Sequence, residues 1–315
     1  MDMSEQKQLR EQGLRGELRS DEPMSKHVSW RAGGKVSLAY APADLEDMSL
    51  FLRGLPADEP VYLVGLGSNL LVRDGGLEGT VIFTHWALRG VLVSRTVDAG
   101  GEIRAQSGVA APKVARLAAL NNFAGAEFLA GIPGTIGGAL AMNAGCYGGE
   151  TWNLVAQVET MDRSGALHVR TPQDYRIGYR SVEPLAKSEE WFVSTTLRLA
   201  HGDGEQSRAR IRALLSKRIA SQPLGVPNAG SVFRNPPGDH AARLIEACGL
   251  KGRTIGGAAI SAKHANFIVN AGGACAADIE ALMELSQQTV LERFGVTLEC
   301  EVRVVGRMAE SVRKR

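Results

Sequence analysis

The segment AGAEFLAGIPGTIGGALAMNAGCYGGE, residues 124–150, constrains this chain more than any other. It is too apolar to be a linker, and too polar and glycine-broken to cross a membrane. Glycine makes up 37 of 315 residues, above the ~7% of an average protein, and the glycines are clustered. Clusters of this kind mark loops whose backbone lies close to a ligand.

The length suffices for two domains and a sizeable core. The chain is 44% hydrophobic and 22% charged, the balance of a soluble globular protein. A net charge of +2 carries no nucleic-acid signature. Residues 309–315, ending Arg313-Lys314-Arg315, read as a basic solvated tail. No segment approaches the ~20 apolar residues of a membrane helix. The N-terminal MDMSEQKQLREQ has no apolar core and is not read as a secretory signal. Four scattered cysteines (Cys146, Cys248, Cys275, Cys300) form no metal-ligand spacing. The expectation is a cytoplasmic, reduced monomer with no metal, membrane or nucleic-acid partner.

Periodicity places the elements. Residues 1–25 read as a charged lead-in of helical character. Strands are expected at 36–40, 61–64, 81–83 and 91–93. Leu45, Met48, Phe51 and Leu52 fit a helical face that Gly54 ends, and Pro112 opens a second helix. Further strands fall at 155–161, 167–169 and 191–199. The polar run HGDGEQ, 201–206, reads as a linker. The next helix carries Ile211, Leu214, Leu215 and Ile219 on one face. Asp239 and Asp278 are expected to cap two more helices. The resulting class is α+β.

The strand at 61–64 enters GLGSNLLVRDGG. A dinucleotide-binding fingerprint needs a third glycine where Leu70 stands, and a long helix after it. Both are missing, so that reading is disfavoured. The same turn still suits a phosphate, because successive N–H groups in a Gly/Ser/Asn turn form an anion-binding concavity. IPGTIGG, 132–138, offers a second such loop.

Two further segments hold polar residues in unusual places. PNAGSVFRNP, 227–236, sets Ser231 between a turn and an expected strand, with Phe233 and Asn235 on the same face. A turn hydrogen bond or a functional hydroxyl would both explain it. VTLECEVRVV, 296–305, alternates apolar and polar residues, as a half-buried strand does. Glu301 and Arg303 then project together, either as a solvated ion pair or into a site.

Taken with SWRAGG (29–34), GYRS (178–181) and GLKG (249–252), these blocks resemble the UDP-N-acetylenolpyruvoylglucosamine reductase (UDP-N-acetylmuramate dehydrogenase) family, in the family's order over nearly the whole chain. The resemblance implies a vanillyl-alcohol-oxidase-type FAD domain of two subdomains at 26–200, then a smaller α+β substrate domain at 207–308. It implies non-covalent FAD held by Gly65, Leu66, Gly67, Ser68, Asn69 and Leu70. Ile132, Pro133, Gly134, Thr135, Gly137 and Gly138 form the second FAD loop, and Asn143, Gly145 and Tyr147 lie along the flavin. The implied catalytic residues are Arg180, Ser231 and Glu301, with Tyr179, Asn235 and Arg303 on the substrate. NADPH is the implied co-substrate and UDP-N-acetylglucosamine enolpyruvate the substrate.

The chain departs from the family pattern in three places. The last tyrosine is Tyr179, so it resembles the shorter subtype without a tyrosine-bearing loop over the substrate diphosphate. Cys300 replaces a usual proline, and Ser221 replaces a lysine found in some members. Two other readings stay open on residues alone: another FAD-dependent sugar or alcohol oxidoreductase, and a non-catalytic nucleotide-sugar-binding protein.

Overall fold

A computed structural model describes residues 13–96 and 100–309. They form two compact units. The first comprises 13–19, Leu38–Gly65 and Gly79–Arg218; the second comprises Ser20–Ser37, Leu66–Glu78 and residues 219–309. Mixed helix and sheet bear out the α+β expectation. Among the described residues no helix is long and apolar enough to cross a membrane.

The first unit has two cores. In one, the helix Leu45–Gly54 buries Met48, Phe51 and Leu52 in a cluster with Leu38, Tyr40, Ile82 and Val193. The i, i+3, i+4 spacing makes that apolar face. Asp44 caps the helix, accepting from Asp47 N at 2.9 Å. Phe51 stacks on Tyr40 with ring centroids 4.0 Å apart, and truncating it to alanine would cost about 3–5 kcal/mol. The strand Val61–Val64 pairs in parallel with Leu77–Phe83, Val61 opposite Thr80. The next element is the strand Leu70–Val72, not a helix, as the missing third glycine predicts.

The second core lies on an antiparallel sheet in the order Leu167–Arg170, Val155–Asp162, Glu190–His201, Gly100–Gln106, Val91–Thr96. The helix Ala111–Leu120, with Pro112 in its first turn, buries Val114, Ala115, Ala118 and Ala119 beside Ile103, Ala105, Leu197 and Leu199. Of HGDGEQ, read as a linker, only Gly202 and Asp203 lie between this sheet and the helix Gly204–Ser221; His201 ends the strand and Gly204–Gln206 open the helix. Only Ile211 of that helix's expected apolar face is buried, while Ile219 is 63% exposed.

The second unit packs the helices Ala241–Ala247 and Ala276–Phe294 with a sheet of Thr254–Ile255, Ala258–Ile260 and Ile268–Asn270. Trp30, Leu71, Phe233, Leu244, Ile279 and Leu298 share its core. Leu70–Val72 pairs in parallel with Arg303–Val305.

Several local expectations are corrected. Glu17–Pro23, within the lead-in read as helical, is a strand; residues 1–12 and the tail from 310 lie outside the described residues. The regular strand at 296–305 is only Arg303–Val305, because its partner is only three residues long. The alternation still decides burial, since Leu298 and Val302 are buried while Thr297, Glu299 and Arg303 are exposed. Residues 231–235 form no strand, only an isolated bridge from Phe233 to Cys300. Asp239 does not cap its helix. It pairs with Arg243, and Asn235 Oδ1 accepts Ala241 N at 3.2 Å instead. The next helix starts two residues before Asp278, which accepts from Cys275 N at 3.1 Å as the third residue of a capping box.

Candidate active site

In the first unit, Val61–Val64 delivers Gly65 against Thr135. A Cβ on Gly65 would lie 2.3 Å from Thr135 Oγ1, so only glycine allows this approach. The second loop is laced to the segment before the helix Ala111–Leu120. Ala111 N donates to Gly134 O at 3.0 Å, and Ile136 N and Gly137 N donate to Val109 O and Ser107 O, both at 2.8 Å. Buried Thr135 accepts from Gly138 N at 3.4 Å. Pro133 and Gly138 are exposed, while Ile132 and Gly134 are buried.

These loops offer unused donors. Among the described residues, the N–H groups of Gly65, Gly134 and Thr135 in the first unit have no protein acceptor. The same holds for Leu66, Gly67 and Ser68 in the second. Ser107 Oγ, buried beside Gly137, likewise has no partner. Within each unit, adjacent free N–H groups in a glycine-rich turn fit an anionic group such as a phosphate of FAD. Gly67 has φ 57°, and a Cβ there would strike His27 O at 2.2 Å.

Three non-glycine residues here take the left-handed backbone: Asn143 (φ 42°), Tyr147 (φ 54°) and Arg180 (φ 56°). Such conformations cost of order 1–3 kcal/mol each and concentrate at functional sites. Tyr179 and Arg180 form the turn of the hairpin Tyr175–Gly178 and Ser181–Pro184. Arg180 Nη2 donates to Gly145 O at 2.8 Å, and the guanidinium lies 5.1 Å from the Tyr179 ring centroid. Asn143, expected along the flavin, has its side chain committed to this turn. Its Nδ2 donates to Gly178 O at 3.1 Å and to Glu150 at 2.9 Å, and its Oδ1 accepts Trp152 N at 3.1 Å. No side-chain hydrogen is left for a cofactor.

Burial pushes the Cys146 thiol up to about 11, and Cys146 Sγ donates to Phe128 O at 3.1 Å. Burial also raises the Tyr147 phenol, whose hydroxyl donates to Leu214 O at 3.3 Å. A protonated, hydrogen-bonded thiol is a poor nucleophile for covalent attachment of a flavin.

In the second unit, Asn228 Oδ1 accepts Gly230 N at 3.0 Å and so closes the turn before Ser231. Gly230 takes φ 76°. Ser231 is half-buried, and among the described residues its hydroxyl has no hydrogen-bond partner. The turn therefore does not use the serine. Glu301 N donates to Val232 O at 2.8 Å, which sets the glutamate's backbone next to the serine's. Asn69, one residue before its strand, donates through Nδ2 to Glu301 O at 3.0 Å. Arg303 is exposed, and its N–H donates to Asn69 O at 3.0 Å. Among the described residues no group of three His, Cys, Asp or Glu could hold a metal ion.

Residues 222–305 match the family model of the UDP-N-acetylenolpyruvoylglucosamine reductase C-terminal domain, and residues 36–170 match an FAD binding domain. The UDP-N-acetylenolpyruvoylglucosamine reductase of Nitrosomonas eutropha is 58% identical over 298 residues, 93% of this chain and 90% of that protein. The chain belongs to this reductase family. The reductase of Thiobacillus denitrificans is 57% identical over 302 residues, 93% of each chain. The crystal structure of the reductase from Thermus caldophilus matches with a TM-score of 0.75 at 30% identity, over 92% of this chain and 99% of that one. Membership in the reductase family and the FAD-binding-domain match bear out the expected flavin-dependent oxidoreductase.

Sequence reasoning missed Asn228 as the residue that closes the turn, and Asn266. Asn266 Oδ1 accepts Phe233 N at 2.9 Å, and its Nδ2 donates to Phe233 O at 2.8 Å. Its partner lies 33 positions away, so no local pattern could reveal it.

Proposed function

We propose that this chain reduces UDP-N-acetylglucosamine enolpyruvate to UDP-N-acetylmuramate, a step of peptidoglycan precursor synthesis, using NADPH and non-covalent FAD. The 58% identity over 93% of the chain carries the reading. FAD, when bound, supplies the two-electron relay between NADPH and the enolpyruvyl group. The free N–H groups of Gly65, Leu66, Gly67, Ser68, Gly134 and Thr135 would hold its phosphates. Leu70, Ile132, Pro133, Gly137, Gly138, Gly145 and Tyr147 complete the cofactor's surroundings.

The chain's side chains then manage charge and a proton. As hydride reaches the β-carbon of the acrylate, negative charge grows at the α-carbon and into the carboxylate. Arg180 binds that carboxylate; a guanidinium stays charged and can bind it bidentately. Stabilising charge that develops in the transition state is often the largest catalytic term. Ser231 donates the proton to the α-carbon, which a hydroxyl without a protein partner is ready to do. Glu301 hydrogen-bonds the substrate carboxylate through a shared proton, the role open to a carboxyl that donates. Tyr179, Asn235 and Arg303 bind the rest of the nucleotide sugar. The reading places the cofactor domain at 26–200 and the substrate domain at 207–308 in a cytoplasmic monomer, whose size sedimentation checks.

Absorption spectroscopy tests the whole. The purified protein should be yellow, bleach with anaerobic NADPH, and regain colour on adding the enolpyruvyl sugar. Acid should release all the flavin, and phosphodiesterase should convert it to FMN. A colourless protein, or reduced flavin that ignores the sugar and reacts only with oxygen, would refute the proposal.

A further inference from the structure

Residues 231–235 lack a regular strand partner on one side, yet the main chain from Val232 N to Arg234 N is held. On one side Val232 O accepts Glu301 N at 2.8 Å, and Arg234 N donates to Glu299 O at 2.9 Å. On the other side the partner is a side chain. The Asn266 amide takes Phe233 N at 2.9 Å and gives to Phe233 O at 2.8 Å. A carboxamide carries a donor and an acceptor in one plane, so it can stand in for a peptide group of a neighbouring strand. The main-chain carbonyl of Asn266 adds a third bond, accepting Val232 N at 2.9 Å. That N–H belongs to the peptide joining Ser231 to Val232.

Asn266 is 3% exposed, between Ala265 and Phe267, which are also buried. Its own N–H donates to His264 Nδ1 at 3.3 Å. The Asn266 amide can face only one way, because reversing it would set donor against donor and acceptor against acceptor at Phe233. We propose that Asn266 is the positioning residue of this site, fixing the segment that carries Ser231 and, through Val232, the backbone of Glu301. It touches no reacting atom. It keeps the serine hydroxyl and the glutamate in register, a task usually left to a sheet.

This inference rests on the proton-donor role proposed for Ser231. The test is anaerobic stopped-flow of wild type, Asn266→Asp and Asn266→Ala, following flavin absorbance in each half-reaction. Aspartate keeps the shape and the acceptor but loses the donor. Flavin reduction by NADPH should stay within about twofold of wild type. Reoxidation by the enolpyruvyl sugar should slow by about a hundredfold, the scale of a 1 Å misplacement. The double variant Ser231→Ala/Asn266→Ala should be no slower than Ser231→Ala alone, because a positioning residue has nothing left to position. Equal slowing of both halves, or full additivity in the double variant, would reduce Asn266 to a structural role and overturn the proposal. Should Asn266→Asp fail to fold, Asn266→Ser, which retains a small donor and acceptor, is read by the same criteria. Wild-type protein that never passes electrons to the sugar would instead sink the functional reading itself, a separate outcome.

Discussion

Asn69 and Glu301 are joined by a hydrogen bond from the asparagine amide to the glutamate carbonyl, 3.0 Å long. Arg303 N returns a bond to Asn69 O at 3.0 Å. Together they extend the pairing of Leu70–Val72 with Arg303–Val305 beyond its last regular rung. Since Glu301 N is also bound to Val232 O, both main-chain polar groups of this glutamate are fixed. One of the two amide hydrogens of Asn69 is therefore spent on the C-terminal segment rather than on a phosphate.

Asn69→Ala should lower stability by about 1 kcal/mol, the net worth of one hydrogen bond. Asn69→Asp should cost more, because a carboxylate then faces a carbonyl. Thermal melts should rank wild type above Ala and Ala above Asp. An aspartate variant that melts above the alanine variant would show that the bond does not hold Glu301.

Acid should weaken the ion pair of Arg170 with Glu190. The Arg170 guanidinium, hydrogen-bonded to Glu190, holds this carboxyl down from 4.5 to about 2, and Thr160 Oγ1 adds a bond at 2.6 Å. The folded pKa is depressed, so the stabilisation is present above the unfolded value and lost as pH falls through about 2. Arg170→Ala should thus destabilise most near neutrality, with the gap to wild type narrowing below about pH 4.5. Urea melts at about pH 6 and about pH 3 measure that gap. A gap of the same size at both would remove the pair from the acid response.

Arg180→Lys keeps the charge but loses the planar fork and the geometry that ties Nη2 to Gly145 O. Turnover should fall at least about a hundredfold, in the range of a lost oxyanion donor. Melting should change little, because the strained turn is also held through the Gly178 carbonyl by Asn143. Near wild-type turnover would take Arg180 out of the chemistry.

The parts legible in the sequence are those that local chemistry fixes. Met48, Phe51 and Leu52 announce their helix through spacing, and Gly54 ends it. The alternation around Leu298 and Val302 forecasts burial correctly. It overstates the strand because pairing depends on a partner only three residues long. Glu17–Pro23 escapes because only Glu22 of its seven residues is buried, which leaves no apolar alternation. The site divides in the same way. Glycines at 65, 67 and 137 are readable because close approach demands them. The braces Asn143 and Asn266 are not, because asparagine carries no periodic signal and their partners, Gly178 and Phe233, lie 35 and 33 positions off.

Ser231 offers the sharpest test, because the turn before it is closed by Asn228 Oδ1 and not by the serine. A hydroxyl without a protein partner contributes little to folding, so Ser231→Ala should leave stability within about 0.5 kcal/mol of wild type. Catalysis should respond unevenly. Reduction of FAD by NADPH protonates no carbon and should stay near normal. Reoxidation by the enolpyruvyl sugar needs a proton at the α-carbon and should slow by about a hundredfold or more, the scale of general acid catalysis. Ser231→Cys should recover part of that rate, since a thiol also donates a proton. Stopped-flow absorbance under anaerobic conditions follows each half separately. If the two halves slow together, or neither slows, Ser231 is not the proton donor.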